Sequence, residues 1–175
     1  MEKTRKKEFW ANEAVKAAQA QLQKDLVFLD ECISIGEDAD ELESTVNRHG
    51  EDAGKLFFGW LMLHGYSNGA EILASMVAYV MDNLYLVHNG RRKTLANATK
   101  KDLGEIITLV EFAVDEKDFN AHLNPFDGLL LFYQFLEEIG YPANLPRRQR
   151  AIKELRRTII KKPCAVKQDG FELMQ

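Results

Sequence analysis

The chain has 175 residues and a mass of 20.0 kDa, which suits a single domain. Apolar residues make up 46% and charged residues 29% of it, a balance that excludes disordered and low-complexity classes. The formal net charge of −4 hides an uneven distribution. Residues 1–90 carry 8 basic and 15 acidic side chains, whereas residues 91–175 carry 15 basic and 12 acidic ones. Such asymmetry indicates charged partners rather than a particular fold.

The composition also predicts the compartment. Two cysteines, Cys32 and Cys164, are too few for a disulfide-stapled secreted domain. The basic N-terminus is not followed by the apolar stretch of a signal peptide. The longest apolar segment, Ile72–Val87, is short for a membrane span and contains Asp82. We therefore expect a soluble cytoplasmic protein that does not contact membranes.

Helical periodicity dominates the first third of the chain. A first helix is predicted from about Thr4 to Ile35, with one apolar stripe. A short acidic helix should then start at Asp38 or Asp40 and end at Gly50. An apolar helix over Glu51–His64 follows. The sequence thus predicts two separate helices between residues 38 and 64.

The middle of the chain predicts a helix that is apolar on all sides, typical of a bundle centre, over about 68–88. Ser67 or Asn68 is expected to cap its N-terminus. Thr99 and Asp102 have the spacing of a capping box and predict the start of the next helix.

The last third predicts two helices, one starting at Pro125 and one over Arg147–Lys162 that Pro163 ends. The predicted fold is an all-α, single globular bundle of six or seven helices. Its single domain spans residues 1–162, and residues 163–175 form a loose C-terminal tail.

The last helix is strongly basic. Residues 147–162 include eight Lys or Arg and one acidic residue, Glu154. A helical projection puts Ile152 and Leu155 on one side, for docking on the bundle. The opposite side carries the candidate partner-binding residues Arg147, Arg150, Lys153, Arg157 and Lys161. This face is either a solvated surface that balances the acidic half of the chain or a contact surface for an anion. The candidate anions are an acidic protein, nucleic-acid phosphate and the acidic half of the same chain.

An acidic segment lies in the other half of the chain. Residues 30–52 contain nine carboxylates and one basic residue, Arg48. It is either a solvated surface with acids near helix N-termini or a contact surface for a basic partner. The candidate partner-binding residues here are Glu37, Asp38, Asp40, Glu41 and Glu43.

Gly65-Tyr66-Ser67-Asn68-Gly69 matches the G-x-S-x-G motif of serine hydrolases. That motif needs a strand before the serine, whereas the surrounding pattern is helical. A glycine-stopped helix followed by a capped helix explains the same residues. A hydrolase using Ser67 is therefore the weakest of three functional hypotheses.

Other chemical motifs fail on individual residues. Gly50-Glu51-Asp52-Ala53-Gly54-Lys55 is one residue short of a phosphate-binding loop. The four histidines lack the spacing of a zinc or di-iron site, so we predict no metal and no cofactor. Asp82, within the apolar central helix, is expected to make a structural polar contact, and one candidate partner is a basic residue from Arg91–Lys93 or from the last helix.

We therefore predict a non-catalytic macromolecule-binding protein that is a regulator, accessory factor or inhibitor. It would act through protein–protein contacts of its charged helical faces, with another protein or with a second copy of itself. The alternative is a nucleic-acid-binding regulator that uses the basic helix over residues 147–162.

Overall fold

The structure is a computed structural model and describes Glu8 and residues 12–67, 69–86, 92–113 and 125–161. Within these ranges the chain is all-helical, as predicted, and forms a bundle. The six helices are α1 (Glu13–Ser34), α2 (Ala39–Leu63), α3 (Ala70–Tyr85), α4 (Lys100–Ala113), α5 (Pro125–Glu138) and α6 (Leu145–Lys161). The tail predicted for residues 163–175 lies outside the described residues.

The helix predicted from Thr4 to Ile35 is interrupted at Asn12, and Thr4 itself lies outside the described residues. Asn12 has extended backbone angles, and its side chain accepts a hydrogen bond of 2.9 Å from the Ala14 amide. This N-cap satisfies one of the free amides of the first turn, so α1 begins at Glu13. The predicted end is correct, since Gly36 follows with φ +79°.

The predicted break at Gly50 is wrong, because α2 runs without interruption from Ala39 to Leu63. Asp38 caps it through a 3.1 Å hydrogen bond from the Asp40 amide. Glycine costs a helix about 1 kcal/mol relative to alanine, which packing can offset. Gly50 is buried against Met81, and a Cβ built on Gly54 would lie 3.2 Å from the Ala74 carbonyl oxygen. The glycines therefore let α2 and α3 approach closely instead of ending a helix.

The central position of α3 agrees with the prediction, since it packs against α2, α4 and α5. Its N-cap differs, because Gly69 takes that position with φ +89° and no side-chain cap. Ser67 is exposed in the preceding turn. One side of α3 also remains open to solvent, where Glu71 and Tyr79 are exposed. The helix is thus apolar toward the core but not buried all round.

Of the remaining helices, α4 and α5 begin as the sequence indicates, and α6 begins slightly earlier. Asp102 accepts a 2.8 Å hydrogen bond from the Thr99 amide and the Thr99 hydroxyl accepts one in return, which confirms the capping box. Pro125 is the first residue of α5. The last helix begins two residues before Arg147, at Leu145. None of the described helices combines the length and apolar character needed to cross a membrane.

Candidate functional site

The last helix is anchored to the bundle by its apolar side. Ile152 and Leu155 are buried, as predicted from the helical projection. The helix packs against α5 and α4. Two ion pairs support this docking, Arg156 with Asp127 at 2.9 Å and Lys100 with Glu154 at 3.3 Å. The orientation of the helix is therefore fixed on both sides of its apolar stripe.

One arginine of this helix has a structural role that the sequence analysis missed. Arg148 is only 4% exposed, and its guanidinium donates hydrogen bonds to the carbonyls of Ala96 and Ala98. These carbonyls belong to the turn that precedes α4. Arginine suits this position because its planar fork can reach two acceptors at once. The sequence signal for this role is that Arg148 lies four residues before Ile152 and therefore on the apolar side of the helix.

The opposite side of α6 presents four cations to solvent. Arg147, Arg150, Lys153 and Arg157 are all exposed, and within the described ranges none of them forms an ion pair. Lys161 is the last residue of the helix, and its side chain lies outside the description. We call the four described residues the basic face. Because the helix beneath them is anchored, their spacing is held by rigid backbone.

The five predicted acidic residues cluster at the α1–α2 junction. Asp38, Asp40, Glu41 and Glu43 are exposed, and Glu37 is half-buried. Asp38 also has a structural role as the N-cap of α2. Asp40 and Glu41 lie in the first turn of that helix, where its dipole favours negative charge. We call these five residues the acidic segment.

The fold does not bring the acidic segment and the basic face together. No ion pair joins the two sets among the described residues. The basic helix packs on α4 and α5, while the acidic residues belong to the end of the bundle that α1 and α2 form. Mutual neutralisation within one chain is therefore not what either surface does in this structure.

Asp82 is half-buried on α3, and no described residue forms an ion pair with it. Arg91, one of its candidate partners, lies outside the described residues. Arg92, one of its expected partners, instead donates to the carbonyl of Glu37. Burial raises the pKa of the Asp82 carboxyl, and the negative charge of Glu43 raises it further. Asn83 satisfies its amide locally, with a 2.8 Å hydrogen bond to the Tyr79 carbonyl.

A second half-buried carboxylate, Asp30, has a structural role that the sequence pattern does not indicate. Asp30 accepts hydrogen bonds from the hydroxyls of Tyr85 at 2.6 Å and Tyr141 at 2.5 Å. The Tyr85 oxygen also accepts from the Leu95 amide, and Tyr133 donates to the Leu95 carbonyl at 2.8 Å. Burial raises the pKa of Asp30 to about 6, although the two tyrosine hydrogen bonds oppose this rise. The network connects α1, α3, α5 and the two loops that precede α4 and α6.

Ser67 and the two described histidines, His49 and His64, form no recognisable catalytic arrangement, while His88 and His122 lie outside the described residues. Ser67 lies in an exposed turn, and no strand precedes it there. His64 makes hydrogen-bond contact with the Trp60 carbonyl at 2.8 Å, and its ring stacks on the Trp60 indole. Across the described ranges, no three His, Cys, Asp or Glu residues lie close enough together to hold a metal ion.

Comparison with known proteins identifies no relative of this chain. The sequence matches no protein-family model, and neither the curated proteins nor the solved structures yield a significant match.

Proposed function

We propose that this protein is a non-catalytic regulator, accessory factor or inhibitor that binds an acidic protein surface through its basic face. One observation carries the proposal: Arg147, Arg150, Lys153 and Arg157 are exposed without ion-pair partners in the described chain, on a helix whose other side is firmly anchored. Side chains on a preorganised helix lose less freedom on binding than side chains on a loop. Their charges would speed association and favour acidic partners.

The basic residues of α6 differ in whether they bind within the chain, and this difference supports the proposal. Arg148 and Arg156 are engaged inside the chain, with backbone carbonyls and with Asp127 respectively. The basic face has no such internal use among the described residues. Like charges at this spacing cost a helix a few tenths of a kcal/mol per pair, a cost that an acidic partner would remove.

The acidic segment provides the second charged surface. A second copy of the chain could present Glu37–Glu43 to the basic face, which would give a head-to-tail assembly. A different acidic protein would use the basic face in the same way. Measuring the mass of the purified protein in solution at increasing concentration distinguishes these two partners. The mass rises only if copies of the chain bind one another.

The same face would also attract nucleic-acid phosphates. The chain as a whole is acidic, with a net charge of −4, and no aromatic residue occurs between Arg147 and Lys162 to stack on unpaired bases. We therefore favour an acidic protein as the partner and treat nucleic acid as the competing outcome of the experiment.

The experiment compares two doubly substituted proteins of equal net charge. Arg150→Glu with Arg157→Glu reverses charge on the basic face, while Lys16→Glu with Lys24→Glu does so at exposed positions of α1. Each tagged protein is used to capture partners from the native host, with proteins identified by mass spectrometry and nucleic acid quantified. The identified partner is then purified and its affinity for each variant is measured at several salt concentrations.

We expect the basic-face variant to lose at least tenfold in affinity for the purified partner and the α1 variant to bind like wild type. Binding should weaken as salt increases. Equal affinities for the two variants would contradict the proposal. If the captured partners are lost after nuclease treatment, the ligand of the basic face is nucleic acid and not an acidic protein.

A further inference from the structure

An open groove with a volume of about 600 Å³ lies between α2 and α3. Apolar and small residues form its floor, including Val46, Gly50, Gly54, Ala74 and Met81. The floor is formed where the glycines allow the two helices to approach, with the Gly54 position close to the Ala74 carbonyl. Its volume falls within the ~300–1,000 Å³ typical of ligand pockets.

The edges of this groove are acidic. Glu51, Glu71 and Asp82 line it, and Lys55 is the one cation among the lining residues. The Lys55 ammonium is 3.3 Å from the Glu51 carboxylate, so it is already engaged with one of the acids. The remaining carboxylates leave the groove with an excess of negative charge.

The acidic segment continues into the groove. Glu43 lies four residues before Asn47, a lining residue, and therefore shares its side of α2. Its charge acts on Asp82 across the gap between the helices. Asp40 precedes Glu43 by three residues on the same side. The groove and part of the acidic segment thus form one continuous surface.

Asp82 is a carboxylate of this surface that lacks a partner of opposite charge among the described residues. It is half-buried in the groove wall, and no described residue donates a hydrogen bond or a positive charge to it. The negative charge of Glu43 repels its ionised form. A cation arriving from outside would relieve both the burial cost and the repulsion.

We propose that this groove binds an amphipathic helix of a partner protein, with its apolar side on the floor and a Lys or Arg paired with Asp82. A helix laid in a groove uses apolar side chains at i, i+3, i+4 and i+7, and the open apolar floor fits that arrangement. The acidic edges select a basic helix over an acidic one. This surface is separate from the basic face, so its ligand has the opposite charge.

The probe is a fluorescein-labelled helical peptide of about 18 residues, long enough to form helix on a surface. Leucine and alanine form one side of it, and lysine lies along both edges. A second peptide has glutamate in place of every lysine. Affinities are measured by fluorescence anisotropy against the full-length protein.

Two pairs of variants locate the binding site. Ala78→Trp fills the groove from an exposed lining position, and Ala20→Trp places the same bulk on the exposed side of α1. Asp82→Asn removes the proposed ionic contact, and Asp52→Asn removes an exposed carboxylate elsewhere on α2. Thermal unfolding of each variant confirms that it is folded before binding is compared.

We expect the lysine peptide to bind wild type, Ala20→Trp and Asp52→Asn with equal affinity. Ala78→Trp should weaken it by more than tenfold and Asp82→Asn by about tenfold, and the glutamate peptide should not bind. Unchanged binding to Ala78→Trp would overturn the proposal, as would equal binding of both peptides.

Two other occupants of the groove give different results. If the chain's own basic N-terminus filled it, Lys6→Glu with Lys7→Glu in the full-length protein would raise the peptide affinity. If a second copy filled it, the protein would form dimers that Ala78→Trp dissociates. Either result would overturn the proposal. The basic-face variant Arg150→Glu with Arg157→Glu should bind the lysine peptide at least as well as wild type, which separates this test from that of the basic face.

Discussion

Asp30 on α1 and Tyr141 in the loop before α6 are 111 positions apart in the chain, yet the tyrosine hydroxyl donates a 2.5 Å hydrogen bond to the carboxylate. Tyr85 donates to the other oxygen of the same carboxylate. This arrangement places a titratable acid inside the bundle at the junction of several elements. It gives the stability of the protein a pH dependence that can be measured.

The folded-state pKa of Asp30 is about 6, above its ordinary value of 3.8, because burial disfavours the charged form. A raised pKa means that the folded protein holds this proton more tightly than the unfolded chain. This tighter proton binding contributes about 2–3 kcal/mol to the free energy of unfolding. The contribution is complete below about pH 4 and is lost as pH rises through 6. Urea unfolding between pH 4 and 7.5 should therefore show wild type losing stability relative to Asp30→Asn as pH increases.

Tyr141→Phe provides a control for this assignment. It removes a hydrogen bond that favours the ionised carboxylate, so the pKa of Asp30 should rise further and the transition should move to higher pH. A difference between wild type and Asp30→Asn that stays constant with pH would contradict the role of this network.

His49 is predicted to make the protein less stable as pH falls, which is the opposite of the effect of Asp30. It is 4% exposed, and burial lowers its pKa although Asp25 lies 3.7 Å away. As pH falls below about 6.5, His49 takes up a proton in the unfolded chain. In the folded protein it takes up that proton only at lower pH. Wild type should lose stability relative to His49→Gln over that fall in pH. Nuclear magnetic resonance titration of the His49 ring checks the sign directly, since a normal or raised pKa would exclude this explanation.

Two adjacent arginines should differ sharply in their effect on stability. Arg148→Met leaves the carbonyls of Ala96 and Ala98 without their donor and should cost about 3 kcal/mol of unfolding free energy. Arg147→Met, at an exposed position of the basic face, should change stability by less than about 0.5 kcal/mol. Chemical denaturation of both variants measures the contrast, and similar losses would contradict the structural role of Arg148.

The two glycines of α2 that face α3 provide another matched pair. A Cβ on Gly50 would lie 3.6 Å from a side-chain atom of Met81, an ordinary contact, so Gly50→Ala should stabilise the protein by about 0.5–1 kcal/mol through helix propensity. A Cβ on Gly54 would lie 3.2 Å from the Ala74 carbonyl oxygen, which belongs to backbone and yields less easily. Gly54→Ala should therefore be the less stable of the two variants. The reverse order in thermal unfolding would show that α2 and α3 can separate there without cost.

The sequence by itself determined the helical class, most helix ends and the orientation of α6. Those features follow from local rules, because capping, proline placement and the 3.6-residue period act within a few neighbouring positions. The same rules mislead at Gly50, where a residue that often ends helices is kept for contact with another helix. They also mislead at Ser67, because Gly69 takes the N-cap position instead.

Only the tertiary structure decided which charges are used internally and which remain exposed. Arg147 and Arg148 are adjacent residues of the same type. Arg147 faces solvent, whereas Arg148 binds a turn that lies 50 positions earlier in the chain. Asp30 and Asp82 are both acids within helical patterns. Tyrosines from distant elements donate hydrogen bonds to the first, while the second lines a groove and has no ion-pair partner among the described residues. The energy of a buried charge depends on neighbours brought together by packing, and the spacing of residues along one helix cannot specify those neighbours.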